Sequence, residues 1–192
     1  AADSRPCIII FRQSRRAAAR QRINCMPVNR DILTDLCEPA RRPINLRVTA
    51  TAQGAIRHGH PWVFDQAIVR QNREGRPGDL AVIYDDKNRF LALGLYDPDS
   101  PIRVRILHQG HPTVIDQDWF GARLADAVQQ RAPLATTGTT GYRLVHGEND
   151  KLPGLVVDRY DQTLVIKLDT AAWMVHLRSL LAALTSVMPA LR

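Results

Sequence analysis

One short stretch of the chain, from Arg57 to Trp62, brings together a guanidinium, two imidazoles and an indole ring. Cations can bind phosphates, planar groups can stack on unpaired bases, and ring N–H groups can reach ribose hydroxyls. Arg57, His58 and His60 are therefore predicted to line part of an RNA-binding surface. The alternative is that the two histidines only cap the end of a helix. Trp62 and Phe64 are predicted to fill the core.

A second group of cations is predicted on strands and their connections. Arg103 and Arg105 flank Val104 in a strand-like run, so both side chains point to one face. With Lys87 and Arg89 they would form a stripe of charge that follows a phosphate backbone. Solvated charges on the outer face of an amphipathic strand give the same pattern. Both interpretations stay open at this point.

Other polar residues of the chain do not indicate catalysis. His146 and the carboxylates after it lack the spacing of a metal site, and Asp158 beside Arg159 is more simply a structural ion pair or turn contact. The glycine-containing stretch 137–141 has no apolar strand before it and no helix after it, so it does not predict a cofactor loop. No catalytic, cofactor-binding or metal-binding residue is assigned.

The elements that must position these residues are short strands separated by strong turn signals. The predicted strands are 46–49, 67–69, 80–84, 90–96 and 102–107, with a brief helix at 52–58. Strands at this spacing indicate a small closed or partly closed β-barrel.

The second half of the chain predicts helices and a sheet. Asp116 is predicted to cap a helix that runs from Gln117 to about Arg131. Its apolar face is predicted to carry Phe120, Leu124 and Val128. Polar residues 135–141 then form the best linker candidate.

Two more strands, 154–160 and 163–168, precede a helix at 171–187. Strand, strand and helix without further strands is an incomplete layer, since a sheet face needs partners to bury it. The predicted fold class is therefore α+β, with a small barrel, a helix and an incomplete α+β unit.

The basic character of the chain is concentrated at its N-terminal end. The formal net charge is +7, and residues 1–45 hold nine arginines against four acids, whereas residues 46–192 hold seventeen Lys and Arg against fifteen acids. Whole-chain charge therefore says little about the folded part. Residues 1–45 are predicted to be a disordered or artefactual extension; a targeting leader or an RNA-binding arm are the alternatives.

All three cysteines, Cys7, Cys25 and Cys37, lie in this extension at spacings that fit no zinc or Cys-x-x-Cys motif. Reduced thiols and a cytoplasmic location are expected rather than a disulfide framework. No apolar run approaches the ~20 residues that span a bilayer, so no membrane partner is expected.

Six motifs, in this order, resemble the front half of the RlmI-type ribosomal RNA methyltransferases. They read GHPWVF at 59–64, GDLAVIY at 78–84, LALGLY at 91–96, IRVRIL at 102–107, YRLVHGE at 142–148 and LPGLVVDRY at 152–160. These enzymes methylate cytosine C5 in large-subunit rRNA with S-adenosylmethionine. The resemblance implies that large-subunit rRNA is the partner of this chain.

The resemblance also implies a domain organisation. It places a PUA-like RNA-binding domain at 46–112, a helix and linker at 113–141, and a truncated central α+β domain at 142–192. The motifs of the family's C-terminal cofactor-binding domain do not occur in this sequence. Addition at cytosine C6 generally needs a cysteine thiolate, and the predicted folded region contains none. The implied function is that of an RNA-binding N-terminal fragment, inactive alone and without a cofactor of its own.

A free-standing PUA-type RNA-binding adapter without catalytic activity is the alternative. Such an adapter is expected to close its sheet and to finish on polar or capped residues. Here 189–192 follow directly on an apolar helix. We therefore favour the fragment, and the sequence leaves the target nucleotide and the oligomeric state open.

Overall fold

The computed structural model describes residues 7–12, 38–40 and 42–188. This part of the chain divides into two compact units. The barrel unit comprises residues 38–40, 42–114 and 170–176, and the sheet unit comprises residues 7–12, 115–169 and 177–188.

Strands and helices follow one another along the described chain. The strands are β1 Cys7–Arg12, β2 Ile44–Val48, β3 Trp62–Phe64, β4 Ile68–Gln71, β5 Leu80–Tyr84, β6 Phe90–Tyr96, β7 Ile102–Gln109, β8 Gly141–His146, β9 Leu155–Tyr160 and β10 Thr163–Leu168. The α-helices are α1 Ala50–Arg57, α2 Gln117–Ala135 and α3 Leu177–Val187, and 3-10 helices cover Asp65–Ala67, Gly147–Asp150 and Ala171–His176.

The barrel unit is one sheet of six strands in the order β3-β7-β6-β5-β2-β4. β2 runs parallel to β5, and the other neighbours are antiparallel. Strand alternation drives the packing, since Ile44, Leu46 and Val48 of β2 are buried while Asn45 is exposed. Inward residues of all the strands except β4 build one apolar core with Ile56 of α1. The prediction of a small β-barrel in an α+β chain is confirmed.

Local signals predicted several elements of this unit well. The bounds of β5 and β6 are those predicted from the sequence, because clear turn residues flank both strands. β3 was not predicted as a strand, because it has only three residues and Pro61 lies directly before it.

The segment 170–176 returns to the barrel unit from far along the chain. Gly78 has a φ of +91°, and a Cβ there would lie 2.4 Å from Cγ2 of Val175, so only glycine fits this close approach. His176 donates from Nε2 to the Gly78 carbonyl at 2.8 Å. The prediction of one helix over 171–187 is therefore wrong, because its first six residues form a 3-10 helix that packs in the other unit.

The sheet unit contains four strands in the order β1-β10-β9-β8. β8, β9 and β10 are antiparallel neighbours, and β1 lies parallel to β10. The predicted strand-strand-helix layer therefore lacked two strands. β8 escaped prediction because a bulge between Arg143 and Val145 breaks the alternation of buried and exposed residues.

β1 corrects the prediction that residues 1–45 form a disordered extension. The run Cys7–Arg12 is rich in β-branched isoleucine, which favours strands, and it pairs along the full length of β10. The beginning of β2 at Ile44 is a second exception. Residues 1–6, 13–37 and 41, with Cys25 and Cys37, lie outside the described residues.

The predicted cap of α2 is confirmed, because Asp116 accepts a hydrogen bond from the Trp119 N–H at 2.9 Å. The helix continues to Ala135, and its buried face carries Phe120, Leu124 and Ala127. Val128, predicted for that face, is half-buried, because a step of eight residues drifts off the stripe of a 3.6-residue period. The predicted linker is an exposed connection from α2 to β8 inside the sheet unit.

Across residues 7–12, 38–40 and 42–188, every helix is too short or too polar to cross a membrane.

Candidate nucleic-acid interface

The turn between β5 and β6 is built around the carboxylate of Asp85. Its Oδ1 accepts hydrogen bonds from the backbone N–H groups of Lys87 at 3.0 Å and Arg89 at 2.9 Å. Asn88 adopts a left-handed φ of 60°, which asparagine tolerates better than most residues. An aspartate that binds backbone N–H groups ahead of it fixes the turn from its own side chain.

The same carboxylate gathers two of the predicted RNA-binding side chains. Asp85 Oδ2 accepts from Arg89 Nε at 2.9 Å and lies 2.7 Å from an Arg89 terminal nitrogen. It also accepts from a terminal nitrogen of Arg57 at 3.4 Å. Asp85 is thereby the acceptor that brings a helix end and a turn together.

Hydrogen bonds from Arg89 lower the pKa of Asp85 to about 2. The Arg89 side chain donates to Oδ2, its backbone N–H donates to Oδ1, and the Lys87 N–H adds to the effect. Asp85 is therefore ionised across the physiological pH range.

Two residues that the sequence analysis did not single out support the turn from outside. Arg47 donates to the carbonyl of Asp85 at 3.0 Å and to Oδ1 of Asn88 at 3.0 Å. Gln53 is buried and donates from Nε2 to the Val48 carbonyl at 3.1 Å and to Asp86 Oδ1 at 2.8 Å. In the sequence, this support of the turn is signalled only by Gln53, a polar residue on the inward face of α1.

A cleft of about 560 Å³ opens beside the turn, and we call it the Asp85 cleft. Its lining includes Arg57, Asp85, Arg89 and Gln109. Asp85 is buried at the base, with 6% of its side chain exposed, whereas Arg57 and Arg89 keep 47% and 66%. Because a guanidinium carries five N–H donors, both arginines retain donors for an oxyanion at the mouth.

Lys87 and His58 lie next to these arginines along the chain. Lys87 is exposed on the turn itself. His58 ends α1, where its Nδ1 lies 2.8 Å from the Gly54 carbonyl, so it caps the helix and is also exposed. The structure thus brings Arg57 and Arg89 into one cleft, with His58 following Arg57 and Lys87 preceding Arg89.

The predicted exposed stripe on β7 is wrong for Arg105. Its side chain is 8% exposed and lies 3.8 Å from the buried carboxylate of Asp97. Arg103 is 21% exposed, and its guanidinium donates to the main-chain carbonyls of Asp97 and Pro98. Asp97 also accepts from the hydroxyl of Thr170, so a distant segment covers this face of the strand.

The core assignment of Trp62 and Phe64 is also wrong. Only Val63 of β3 points into the core, at 1% exposure, while Phe64 is 45% exposed and Trp62 is half-buried. Neighbouring residues of a strand point to opposite faces, so one inward valine places both rings outward. Their rings lie close to His60.

Several charged residues of the sheet unit pair with one another. Arg131 makes two bonds of 2.7 Å to Asp150, whose carboxylate also accepts from the His146 N–H. Asp158 pairs with Arg143 across the strands at 2.8 Å, which raises the pKa of Arg143, and it does not pair with its neighbour Arg159. Adjacent strand residues face opposite sides, so Asp158 forms its structural ion pair with Arg143, and Arg159 makes a turn contact by donating from Nε to the Asp161 carbonyl at 2.8 Å.

Arg159 instead lies over the ring of Tyr142, with its guanidinium carbon 5.8 Å from the ring centroid. It also donates to the Tyr142 hydroxyl at 3.1 Å. Within the described ranges, no group of three His, Cys, Asp or Glu side chains is placed to hold a metal ion. These contacts explain the polar cluster as a structural one.

The described strand-to-helix connections do not offer a cradle for an adenosyl cofactor. Such a cradle needs a glycine-rich turn that leads from a strand into a helix N-terminus. β2 reaches α1 through Thr49 alone, and the connection from β7 to α2 contains the single glycine Gly110. Among the described residues, none is therefore assigned to cofactor binding.

Comparison with known proteins defines the class first. Residues 46–109 match the family model of the PUA-like domain. Two solved structures resemble the chain, one a SAM-dependent methyltransferase from Streptococcus mutans and the other a methyltransferase complexed with SAH. Their TM-scores are 0.68 and 0.69 at 17% identity, over 77% of this chain and 38% of each solved chain. At this identity the likeness concerns the fold alone.

Sequence relatives then define the family. A ribosomal RNA large subunit methyltransferase of Deinococcus radiodurans is 55% identical over 143 residues, which are 72% of this chain and 35% of that protein. The ribosomal RNA large subunit methyltransferase I of Photobacterium profundum is 41% identical over 61% of this chain and 30% of its own length. Over these residues the chain is homologous to RlmI-like ribosomal RNA large subunit methyltransferases, and it spans about a third of the length of the curated relatives it matches.

Proposed function

We propose that this chain is the RNA-binding part of an S-adenosylmethionine-dependent methyltransferase that modifies cytosine C5 in large-subunit rRNA. The similarity to the methyltransferase of Deinococcus radiodurans supports the class of enzyme and its substrate. The observation that carries the RNA-binding role is the Asp85 cleft, with two exposed guanidiniums held in place in the PUA-like domain.

RNA binding at this cleft follows from which guanidinium N–H groups of Arg57 and Arg89 bind Asp85 and which remain. Asp85 accepts from Nε of Arg89 and from one terminal nitrogen of Arg57, and a terminal nitrogen of Arg89 lies 2.7 Å from the same carboxylate oxygen. The remaining N–H groups project toward solvent and can bind two phosphate oxygens. Because the side chains are already fixed, little rotamer entropy is lost when the backbone of an RNA binds.

His58 and Lys87 extend the cationic surface on either side of this pair. Lys87 contributes as a flexible point charge, whereas the arginines contribute directed hydrogen bonds. Arg103 and Arg105 are left out of the proposed interface, because their donors are engaged inside the barrel unit. His60 belongs to a neighbouring aromatic cluster.

Methyl transfer is assigned to no residue of this chain. In the whole enzyme S-adenosylmethionine would supply the methyl group, and we propose the cytoplasm, where rRNA is modified, as the location. The part described here would bind and orient the RNA.

Salt-dependent RNA binding by the whole chain tests this proposal. Fluorescence anisotropy with a large-subunit rRNA fragment should give an affinity that falls steeply with salt. Replacing both arginines of the cleft, as Arg57→Ala with Arg89→Ala, should weaken binding by about tenfold or more and reduce the salt slope by roughly 0.7 for each lost phosphate contact.

Arg70→Ala is the matched control, because Arg70 is an exposed arginine of the same unit that lies on β4, outside the cleft lining. It removes one positive charge, as Arg57→Ala or Arg89→Ala alone does, and should change the affinity by less than about twofold. An equal loss of affinity in the control and in the cleft variants would assign binding to diffuse charge and would refute the cleft.

A further inference from the structure

Three aromatic side chains at alternate positions, His60, Trp62 and Phe64, form a cluster that we call the aromatic triad. Their ring centroids are separated by 6.0 Å for His60–Trp62, 6.5 Å for Trp62–Phe64 and 6.4 Å for His60–Phe64. Trp62 meets the other two at interplanar angles of 84° and 86°. No pair is a parallel stack, and Phe64, which is 45% exposed, can present its ring to a further planar group.

Two rings of the triad, those of His60 and Phe64, are exposed, and Trp62 is half-buried. Phe64 keeps 45% of its surface on an edge strand of the sheet. The other exposed large apolar side chains in the described part of the barrel unit are the aliphatic Val69 and Val114. A protein interface needs roughly 800 Å² from each partner, which one small ring cluster does not supply. One or two planar ligands fit it better.

The triad is also joined to the cationic helix end of the Asp85 cleft. The His60 N–H donates to the Ala55 carbonyl of α1 at 3.0 Å, which anchors the triad to the helix that ends at Arg57. Arg57 and His58 directly precede the triad along the chain, and Arg57 also donates to Asp85. Cations beside a stacking surface complement a polyanion that carries planar bases.

We propose that the aromatic triad stacks on an unpaired nucleobase of the RNA whose phosphates bind at the Asp85 cleft. This inference rests on the proposed function and adds a substrate class to it, namely single-stranded RNA or a loop with splayed bases. A base inside a duplex has no free face, so the triad discriminates against paired RNA.

The test compares the whole chain with its Phe64→Leu variant, which keeps apolar bulk but removes the ring. The probes are a single-stranded RNA of about a dozen nucleotides that carries 2-aminopurine, and the duplex of the same sequence. Phe64→Leu should bind the single strand about tenfold more weakly and the duplex unchanged. Binding should quench 2-aminopurine fluorescence in the parent and not in the variant.

Two further variants control for fold and for apolar surface. Phe64→Trp restores a ring and should recover the affinity and the quenching. Val69→Ala trims another exposed apolar residue and should leave both unchanged. A Phe64→Leu variant that binds both RNAs like the parent, or loses affinity for both equally, would overturn the stacking site. The Phe64→Leu variant could instead bind RNA like the parent and lose self-association on gel filtration. That result would assign the triad to a protein contact and would also overturn the stacking site.

The salt slope separates this inference from the proposed function. Phe64→Leu removes no phosphate contact, so its slope should equal that of the parent, whereas the Arg57 and Arg89 variants should lower the slope. If the arginine variants have no effect while Phe64→Leu still discriminates between the two RNAs, the cleft fails and the triad stands. If only the arginine variants have an effect, the cleft stands and the triad fails.

Discussion

Two arginine–aspartate pairs of the barrel unit have the same chemistry and opposite surroundings. In the pair of Arg89 and Asp85 the carboxylate is buried and the arginine side chain is 66% exposed. In the pair of Arg105 and Asp97 both side chains are 8% exposed. The first pair can offer donors to a ligand, and the second can only stabilise the fold. A cation on a strand or turn is therefore a binding residue only where nothing returns to cover it.

The segment that binds over the pair of Arg105 and Asp97 begins at Thr170, 73 residues after Asp97. The Thr170 hydroxyl donates to Asp97 and also accepts from the Ala172 N–H at 3.1 Å. It thereby ties the start of the 3-10 helix Ala171–His176 to the turn after β6. At the first pair, in contrast, the described partners of the Asp85 carboxylate come from α1 and from its own turn.

The largest effect is expected from breaking the buried pair. Arg105→Met leaves the Asp97 carboxylate in the interior without its guanidinium, and removing one partner of a buried pair typically costs about 3 kcal/mol or more. Urea unfolding followed by tryptophan fluorescence should show this loss. RNA affinity of the folded protein should stay unchanged.

Arg89→Met provides the comparison, because its guanidinium is exposed and its loss should change the free energy of unfolding by less than about 1 kcal/mol. The same variant should weaken RNA binding. Equal stability losses in the two variants would contradict the distinction between a buried and an exposed pair.

A smaller effect, with an unexpected sign, is predicted for Asp85→Asn. Removing a negative charge from a polyanion-binding surface should strengthen binding if charge alone mattered. Because Asp85 holds Arg57 and Arg89 in place, we expect RNA affinity to fall by about threefold to tenfold as the guanidiniums lose their acceptor. Fluorescence anisotropy with the single-stranded RNA measures it.

Asp86→Asn is the matched control, since it makes the same charge change one residue along the turn. Asp86 accepts from Gln53 and not from either cleft arginine. It should leave RNA affinity equal to that of the parent or slightly higher. Tighter RNA binding by Asp85→Asn would show that the carboxylate repels RNA and does not position the arginines.

Local chemistry predicted the elements around the first pair. The acidic turn after Tyr84 and the strands on either side of it follow from residues close in sequence. The capping residue Asp116 was found for the same reason, because its acceptor role depends on the next three residues. Arg57 and Arg89 were predicted in two separate groups, and the structure places both in one cleft lining.

Long-range packing decided what the sequence could not predict. Arg105 lies beside the buried Asp97 carboxylate that Thr170 also binds, and no period or turn signal links Thr170 to this pair. Phe64 was placed in the core because aromatic residues usually are, whereas a three-residue edge strand buries only its central Val63. β1 pairs with β10, which lies near the other end of the sequence, and composition alone does not indicate this pairing.

The two arginine–aspartate pairs should also respond differently to pH. Burial lowers the pKa of His176 from its ordinary value of 6.5, although the bond to Gly78 and the charge of Asp79 oppose the shift. A lowered pKa in the fold means that the unfolded chain binds more protons below about pH 6.5, so stability falls as the solution is acidified. The loss should approach about 1.4 kcal/mol per pH unit at most.

The free energy of unfolding, measured between about pH 7.5 and pH 5.5, should fall with acidification in the parent. The fall should be smaller in His176→Gln. His58→Gln, which changes an exposed histidine, should keep the parent's dependence. Because His176 ends the segment that covers Asp97, acid should loosen the buried pair first. The Asp85 cluster should hold, since the pKa of Asp85 is about 2. Equal pH dependence in both histidine variants would mean that the cover is not held by His176.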